Sequence, residues 1–323
     1  DFLRFGFQAN GSRTLPIDAK GVATALKAAP IVAPYDTQSG LLNVMPNFQR
    51  AQVWNPLIDV ETRANHNKGV NHRLAGNVYG EVDFSKNFTF KATLSMDYRI
   101  GENRAFSPII WVYNPDTQIK ENLTERESIS QSKSTTIDTQ QDYILTFKKK
   151  TGNHNITLTG GLTTNYTEHS SLSAGRNQHL NDIVFGIPEN PDKWWISSIS
   201  GTNLSNGSGQ HRRFTMSYLV RSLYNYGNRY LFNVSFRRDG ASVFHRLGNT
   251  WDNFYSFGAG WVVSEEAFMK NQKVVDYLKL KGSWGVLGNQ NTGGRNYPTY
   301  PLLSSSGSAV FGDRIITGYA PSY

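Results

Sequence analysis

The chain has 323 residues and a net charge of +8; 38% of it is hydrophobic, 13% aromatic and none of it cysteine, with a mean hydropathy of −0.47. Lacking cysteine, it has no disulfides, thiolate metal sites or cysteine nucleophiles, and no run of about 18 apolar residues offers a helical membrane span. Lysine and arginine are scattered rather than blocked, so the basic balance points to no nucleic-acid partner, while the aromatic content argues against a disordered chain.

The opening "DFLRFGFQAN" already alternates apolar and polar residues. It shows neither a start methionine nor a signal peptide, and is read as a mature segment of a longer protein. "NHRLAGNVYGEVDF" (71–84) places Leu74, Val78, Val82 and Phe84 on one phase and Arg73, Asn77 and Glu81 on the other. "FTFKATLSMDYRI" (88–100) alternates throughout, with Phe88, Leu94 and Ile100 on the apolar phase and Lys91, Asp97 and Arg99 on the polar one. Such a period of two predicts a strand with one oily and one wet face, about twice the usual soluble length. Further strands are predicted at 141–150, 154–166, 214–224, 230–236, 255–263 and 278–286. Between the last two, "SEEAFMKNQKVVDY" predicts a short helix with Ser264 as N-cap and Glu265 and Glu266 in its first turn.

Connections carry a second signal. Tight turns at 85–87, 150–153 and 226–228 alternate with long segments at about 10–70, 101–134, 167–210, 239–251 and 289–309. Soluble sandwiches have no such bias, whereas outer-membrane barrels have short turns at one end and long loops at the other. Tyrosine and phenylalanine near strand ends suit aromatic girdles at two membrane interfaces. The prediction is an all-β, antiparallel transmembrane β-barrel in which residues 1–323 are one segment of a single domain with about nine or ten strands. Open edges do not survive in lipid, so further strands are expected outside this chain.

Candidate ligand contacts sit in the long segments: Trp54, Trp111, Tyr113, Trp194 and Trp195. Flat aromatic faces stack on sugar rings or peptide side chains; the alternative is that they pack against their own loop or a covering partner. On the polar phase, Lys91, Arg99, Arg221 and Arg237 would line an aqueous interior and make it basic. The alternative there is ion pairing with Asp97 and Glu81. The histidines form no ligand-like pair within one element, so no metal is expected. No carboxylate pair can be placed across a cleft, so neither a catalytic residue nor a cofactor is expected.

From Tyr230 onward the text becomes specific. "YLFNVSFRRDGASVF", "FGAGWVVSEEAFMK" and "LKLKGSWGVLGNQN" follow one another in order. They resemble the barrel of the SusC/RagA family of TonB-dependent transporters, matching at Asp239, Gly240, Trp261, Glu265, Glu266, Gly288, Asn289 and Gln290. Ala241 and Lys281 depart from the family pattern, and the matched positions are read as structural. The resemblance implies a large, 22-stranded barrel with a plug, in the outer membrane of Bacteroidota-type bacteria. It implies TonB-driven import of glycans or peptides beneath a SusD-like surface lipoprotein, with the plug and TonB-box region outside this chain. The competing readings are a siderophore or metal-chelate receptor and, further off, a soluble β-rich carbohydrate-active enzyme.

Overall fold

The computed structural model describes residues 2–16, 20–30, 33–46, 53–62, 66–184, 186–188, 190–247, 250–271, 274–292, 302–312 and 314–322. In chain order the elements are β1 (Leu3–Thr14), α1 (Lys20–Ala25), β2 (Leu42–Asn43), β3 (Asn67–Ser85), β4 (Phe88–Ser107), β5 (Trp111–Asn114), β6 (Ile119–Asn122), β7 (Arg126–Thr151), β8 (His154–His179), β9 (Asn203–Tyr226), β10 (Tyr230–Ala241), β11 (Trp251–Val262), β12 (Lys279–Gly285), β13 (Leu302–Phe311) and β14 (Arg314–Ser322). Nine of them form one sheet in the order β1-β3-β4-β7-β8-β9-β10-β11-β12. Every neighbouring pair in that sheet is antiparallel.

Apart from a register shift at Asp83–Ser85 beside the β3–β4 turn, the register keeps the two phases apart across the sheet. Leu94 of β4 stands opposite Val78 of β3 and Gln141 of β7, while Phe90 meets Val82 and Leu145. Leu145 is followed around the sheet by Gly160, then Val220 and Phe236, each opposite the last. One position along, Thr89, Thr146, Thr159 and Arg221 form the matching polar row. A slip of one residue at any pairing would mix the rows. Tight turns pin the register: Gly227 and Asn228 sit at φ of 60° and 58° between β9 and β10. That left-handed pair is the type I′ geometry whose twist matches the flanking strands.

Among the described residues, no second layer covers the oily face through its central band. The buried apolar side chains among the described residues are found at strand ends and in the connecting segments, at Leu42, Ile58, Ile110, Ile129, Trp194 and Ile199 for example. By contrast Phe7 is 83% exposed, Leu94 49% and Phe257 56%. Leaving one such side chain in water forfeits roughly 1.5–3 kcal/mol, and a contiguous exposed band on this scale marks a surface made for another medium. Two stacked sheets would have buried it. The fold is therefore an antiparallel partial barrel whose edge strands here are β1 and β12.

The strands run well past the oily band at one end. β7 and β8 each have 26 residues, whereas a crossing takes about 9–11. In β8 the oily phase runs from Ile156 to Tyr166 and then meets Glu168, which bonds Arg212 of β9 at 3.1 Å. In β4 it ends at Ile100, and Glu102 on the same phase bonds Lys133 of β7 at 2.9 Å. Residues 126–134, 167–179 and 203–210, read from sequence as loop, are strand. With water on both sides the oily alternation disappears while the backbone ladder continues. Of the expected loop at 289–309, residues 293–301 lie outside those described, and 302–309 belong to β13, which pairs with β14 in a separate hairpin.

Two assemblies sit beyond that end. β2 pairs in parallel with β5, which pairs with β6, so the segment between β1 and β3 shares a small core (Leu42, Val44, Ile58, Ile110, Val112) with the segment between β4 and β7. The connection from β8 to β9, residues 180–202, forms a strap whose Trp194 and Ile199 close on Ile129 of β7 and Phe106 of β4. Phe106 and Ile129 stand opposite each other on the phase of the oily rows. The strap therefore covers, above the band, the same face that is bare within it.

The helix expected at Ser264 is absent. Two separate 3-10 turns, Val263–Glu265 and Ala267–Met269, flank Glu266, whose backbone is extended at φ −77° and ψ 149°. Ser264 caps nothing; its hydroxyl oxygen is buried and has no hydrogen bond. Glu266 is instead drawn out by three donors, as described next.

Candidate functional site

The polar face of the sheet is continuous from β1 to β12. Its β1–β8 half is rich in paired charges. Arg73 donates to Asp97 at 2.7 and 2.9 Å. Arg99 bonds Asp138 and lies 3.7 Å from Asp97. Thr167 and Thr163 donate to Asp138 and Asp142 at 2.6 and 2.7 Å. Nearer the tight-turn end, Arg4 holds Glu81 and Asp83 at 2.6 and 2.7 Å. Lys91 does not reach Glu81; its ammonium lies 4.4 Å over the ring of Tyr79, a cation–π contact. His169 and His211, far apart in sequence, are direct cross-strand partners with rings 4.9 Å apart. Among the described residues no group of three metal-ligating side chains gathers.

The β9–β12 half differs. Arg221 shares a cavity of about 620 Å³ with Lys279, Lys281, Asn155, Asn233 and Ser283. Three cations line it and no carboxylate does. Towards the long-loop end, Arg237 donates to Asp239 at 2.6 Å and to Ser217 at 3.2 Å. These two line a second cleft of about 440 Å³ with Asp252, Gly288, Asn289 and Gln290. Two sequence blocks separated by some fifty positions thus meet at one place on the wall. Asp252 was missed in the sequence because only the register, which sets it opposite Asp239, brings it there. Gly288 is required by its surroundings: a Cβ would lie 2.3 Å from the Phe254 ring. Gly240 similarly lies against the Trp251 ring on the other face.

At the tight-turn end Glu266 accepts from Tyr230 at 2.6 Å, the Trp261 indole at 3.0 Å and Arg229 at 3.1 Å. Those hydrogen bonds, Tyr230 first, hold its carboxyl below the usual range against the opposing effect of burial. Two strands, β10 and β11, and the turn before β10 are tied at one carboxylate. Glu265, its neighbour, belongs to the preceding 3-10 turn.

The structure separates the aromatic candidates. Trp194 is only 2% exposed; its indole donates to the Pro188 carbonyl at 2.8 Å and packs on Phe106 and His66. It presents no face to a ligand, which corrects the sequence expectation: it seats the strap on the oily phase, turned away from the polar wall. Trp195, half-exposed, lies under the Arg104 guanidinium at 3.9 Å. Trp54, also half-exposed, donates to Asp59 at 2.9 Å. Trp111 carries Lys120 over its ring at 4.2 Å, and Tyr113 is half-buried in the same short strand. Tyr35, not singled out in the sequence, hydrogen-bonds Glu61 beside Trp54 and Asp59; that contact raises the pKa of its phenol.

No family profile matches the chain. Among solved structures, the RagAB peptide transporter superposes on 100% of this chain with a TM-score of 0.72 at 16% identity, the match covering 34% of that chain. Among characterised sequences, the TonB-dependent receptor SusC of Bacteroides thetaiotaomicron is 38% identical over 104 residues, 32% of this chain and 10% of SusC. The resemblance to SusC/RagA-type transporters is borne out. TonB-dependent receptor P39 of Formosa agariphila extends the likeness at 28% identity over 242 residues, 74% of this chain and 21% of that receptor. The matches cover between a tenth and about a third of the length of these proteins.

Proposed function

We propose that the chain is one segment of a TonB-dependent importer in a bacterial outer membrane, taking up oligomeric nutrients, glycan or peptide, together with a SusD-like surface lipoprotein. The observation that carries this reading is the register: through the central band of nine strands, an uncovered oily face and a polar wall stay on opposite sides. Lipid on one side and an enclosed aqueous path on the other satisfy both faces at once. The plug and the region reaching TonB lie outside these residues on this reading, and energy for import comes through TonB rather than from any covalent step. Polar-wall Lys91, Arg99, Arg221 and Arg237 line the path, and Trp54, Trp111 and Tyr113 supply contacts at its outer mouth, whereas Trp195 stays with the strap on the outer face. Likeness to receptors named for TonB and to a peptide transporter supports the assignment.

The test uses the complete protein. Purified from outer membranes in detergent, it should bring a surface lipoprotein with it, and cells lacking it should lose uptake of a labelled oligosaccharide or oligopeptide. Isolation without a lipoprotein, combined with tight binding of a ferric chelate, would replace this reading with a siderophore receptor. Recovery as a monomer without detergent would remove the barrel altogether.

A further inference from the structure

The oily phase ends abruptly, and charged residues stand on it next, arginine and lysine among them. In β4 the phase continues from Ile100 through Glu102 to Arg104; in β3 it runs through Val70 to Lys68, which is opposite Arg104. In β1 it reaches Arg13, opposite His72. Four residues past Ile100 is about 14 Å along a strand at about 3.4 Å per residue, or about 10 Å of height at the tilt near 45° of a barrel strand. That is the level of lipid headgroups, not of hydrocarbon. Arg13, Lys68 and Arg104 line a cleft of about 520 Å³ there, together with Val70, Glu102 and Asp192 of the strap.

The two carboxylates are already engaged. Glu102 bonds Lys133 at 2.9 Å and Asp192 bonds Lys68 at 2.8 Å. Arg104 forms no ion pair among the described residues, although Glu102 and Asp192 both lie within reach of its charge; it donates to the Asp192 carbonyl at 3.4 Å and lies over Trp195. Arg13 has none among the described residues either. Two guanidiniums are therefore left over on the membrane-facing side, beside an exposed tryptophan. Guanidinium binds phosphate through paired N–H donors, and tryptophan settles at the headgroup level because one end of its ring is apolar and the other polar.

We infer that this cleft binds the phosphate of an outer-leaflet lipid headgroup, with Arg13 and Arg104 as its donors and the strap as its outer wall. The inference rests on the membrane-barrel reading. Its ligand is a membrane component, and the solute on the opposite wall is not involved.

The experiment titrates the complete protein, delipidated and held in nanodiscs of uncharged lipid, with a monophosphorylated glycolipid and with its dephosphorylated form, counting bound lipids by native mass spectrometry. The phosphorylated lipid should bind at least 10-fold tighter than the dephosphorylated one. The Arg13→Ala/Arg104→Ala variant should abolish that preference, and Arg13→Lys/Arg104→Lys should keep part of it. Lys86→Ala/Lys149→Ala, which removes two charges at the tight-turn end, should leave the preference unchanged. Equal binding of the two lipids, or an equal loss in the tight-turn variant, would overturn the site. Displacement of the lipid by millimolar inorganic phosphate would show a free-anion site instead and equally overturn it. Failure to enter nanodiscs at all would count against the barrel itself, a result separate from these.

Discussion

Leu158 and Leu172 lie on the same strand and on the same phase, and both are exposed, at 42% and 61%. The first sits in the oily band among Ile156, Leu162 and Val220; the second sits in the extension beyond Glu168, where Ser170, Ser208 and Gln210 surround it. One ladder of hydrogen bonds carries both. The difference lies in what each region expects on its outer side. The band is built to face lipid and carries no cover. The extension faces water, tolerates charge and, where it keeps apolar groups such as Phe106 and Ile129, buries them under the strap. Strand length is set by pairing, while side-chain chemistry tracks the medium at each height.

Several substitutions would break or sharpen this contrast. The largest effect belongs to Trp194→Ala, which empties the strap's core and should cost about 3–5 kcal/mol of local stability. Hydrogen exchange across 180–202 should rise sharply while exchange in the central band of β4, β7 and β8 stays put; protection lost in both would show the two regions to be one cooperative unit. Next comes the pair Leu162→Arg, at the centre of the oily band, and Leu172→Arg, in the extension. An arginine on the lipid face of a barrel costs roughly 2–4 kcal/mol near the membrane midplane and about 0–1 kcal/mol at the interface. Denaturant titrations of the complete protein in lipid should therefore separate the two variants, and equal costs would show that the band is not in hydrocarbon. Gly288→Ala drives a methyl group into the Phe254 ring and should cost about 1–3 kcal/mol by overpacking. Phe254→Ala in the same chain should relieve it, a double-mutant cycle that tests whether the second cleft is closely packed.

The smallest effect concerns pH. The hydrogen bond from Lys68 holds the Asp192 carboxyl below its ordinary value. A carboxyl depressed on folding contributes stability above its unfolded pKa, about 3.9, and loses it as pH falls through the lower folded value. Both side chains are at least half-exposed, so salt screens the pair. Limited proteolysis of the strap should quicken only slightly between pH 5 and pH 3. A pronounced step there would assign the pair a larger role than its exposure allows.

The band was legible in the sequence because lipid on one side and water on the other impose a period of two at every strand, from Phe88 to Ile100 and again from Ile156 to Tyr166. The tight turns were legible for the same reason, as brief interruptions carrying Gly152 or Gly227. Outside the band the signal fails. Residues 167–179 and 203–210 are polar on both faces, and nothing local distinguishes a wet strand from a loop. Trp194 looked like an exposed aromatic because its partners, Phe106 and Ile129, come from other strands. Asp239, Asn289 and Gln290 were visible as a pattern, yet their meeting around one cleft depends on the register of β10 with β11. Glu266 reads as part of a helix start because an acidic residue after serine usually is; Arg229 and Tyr230, far off in sequence, and the nearby Trp261 hold it extended instead.

The two-rung parallel link between β2 and β5 has an implication for anyone reshaping the outer end of this protein. Leu42 pairs with Val112 and Asn43 with Tyr113, so two connections that are separate in the gene behave as a single fold there. Grafting either one alone from a relative would orphan half of a hydrophobic nucleus. The exchangeable module is the pair.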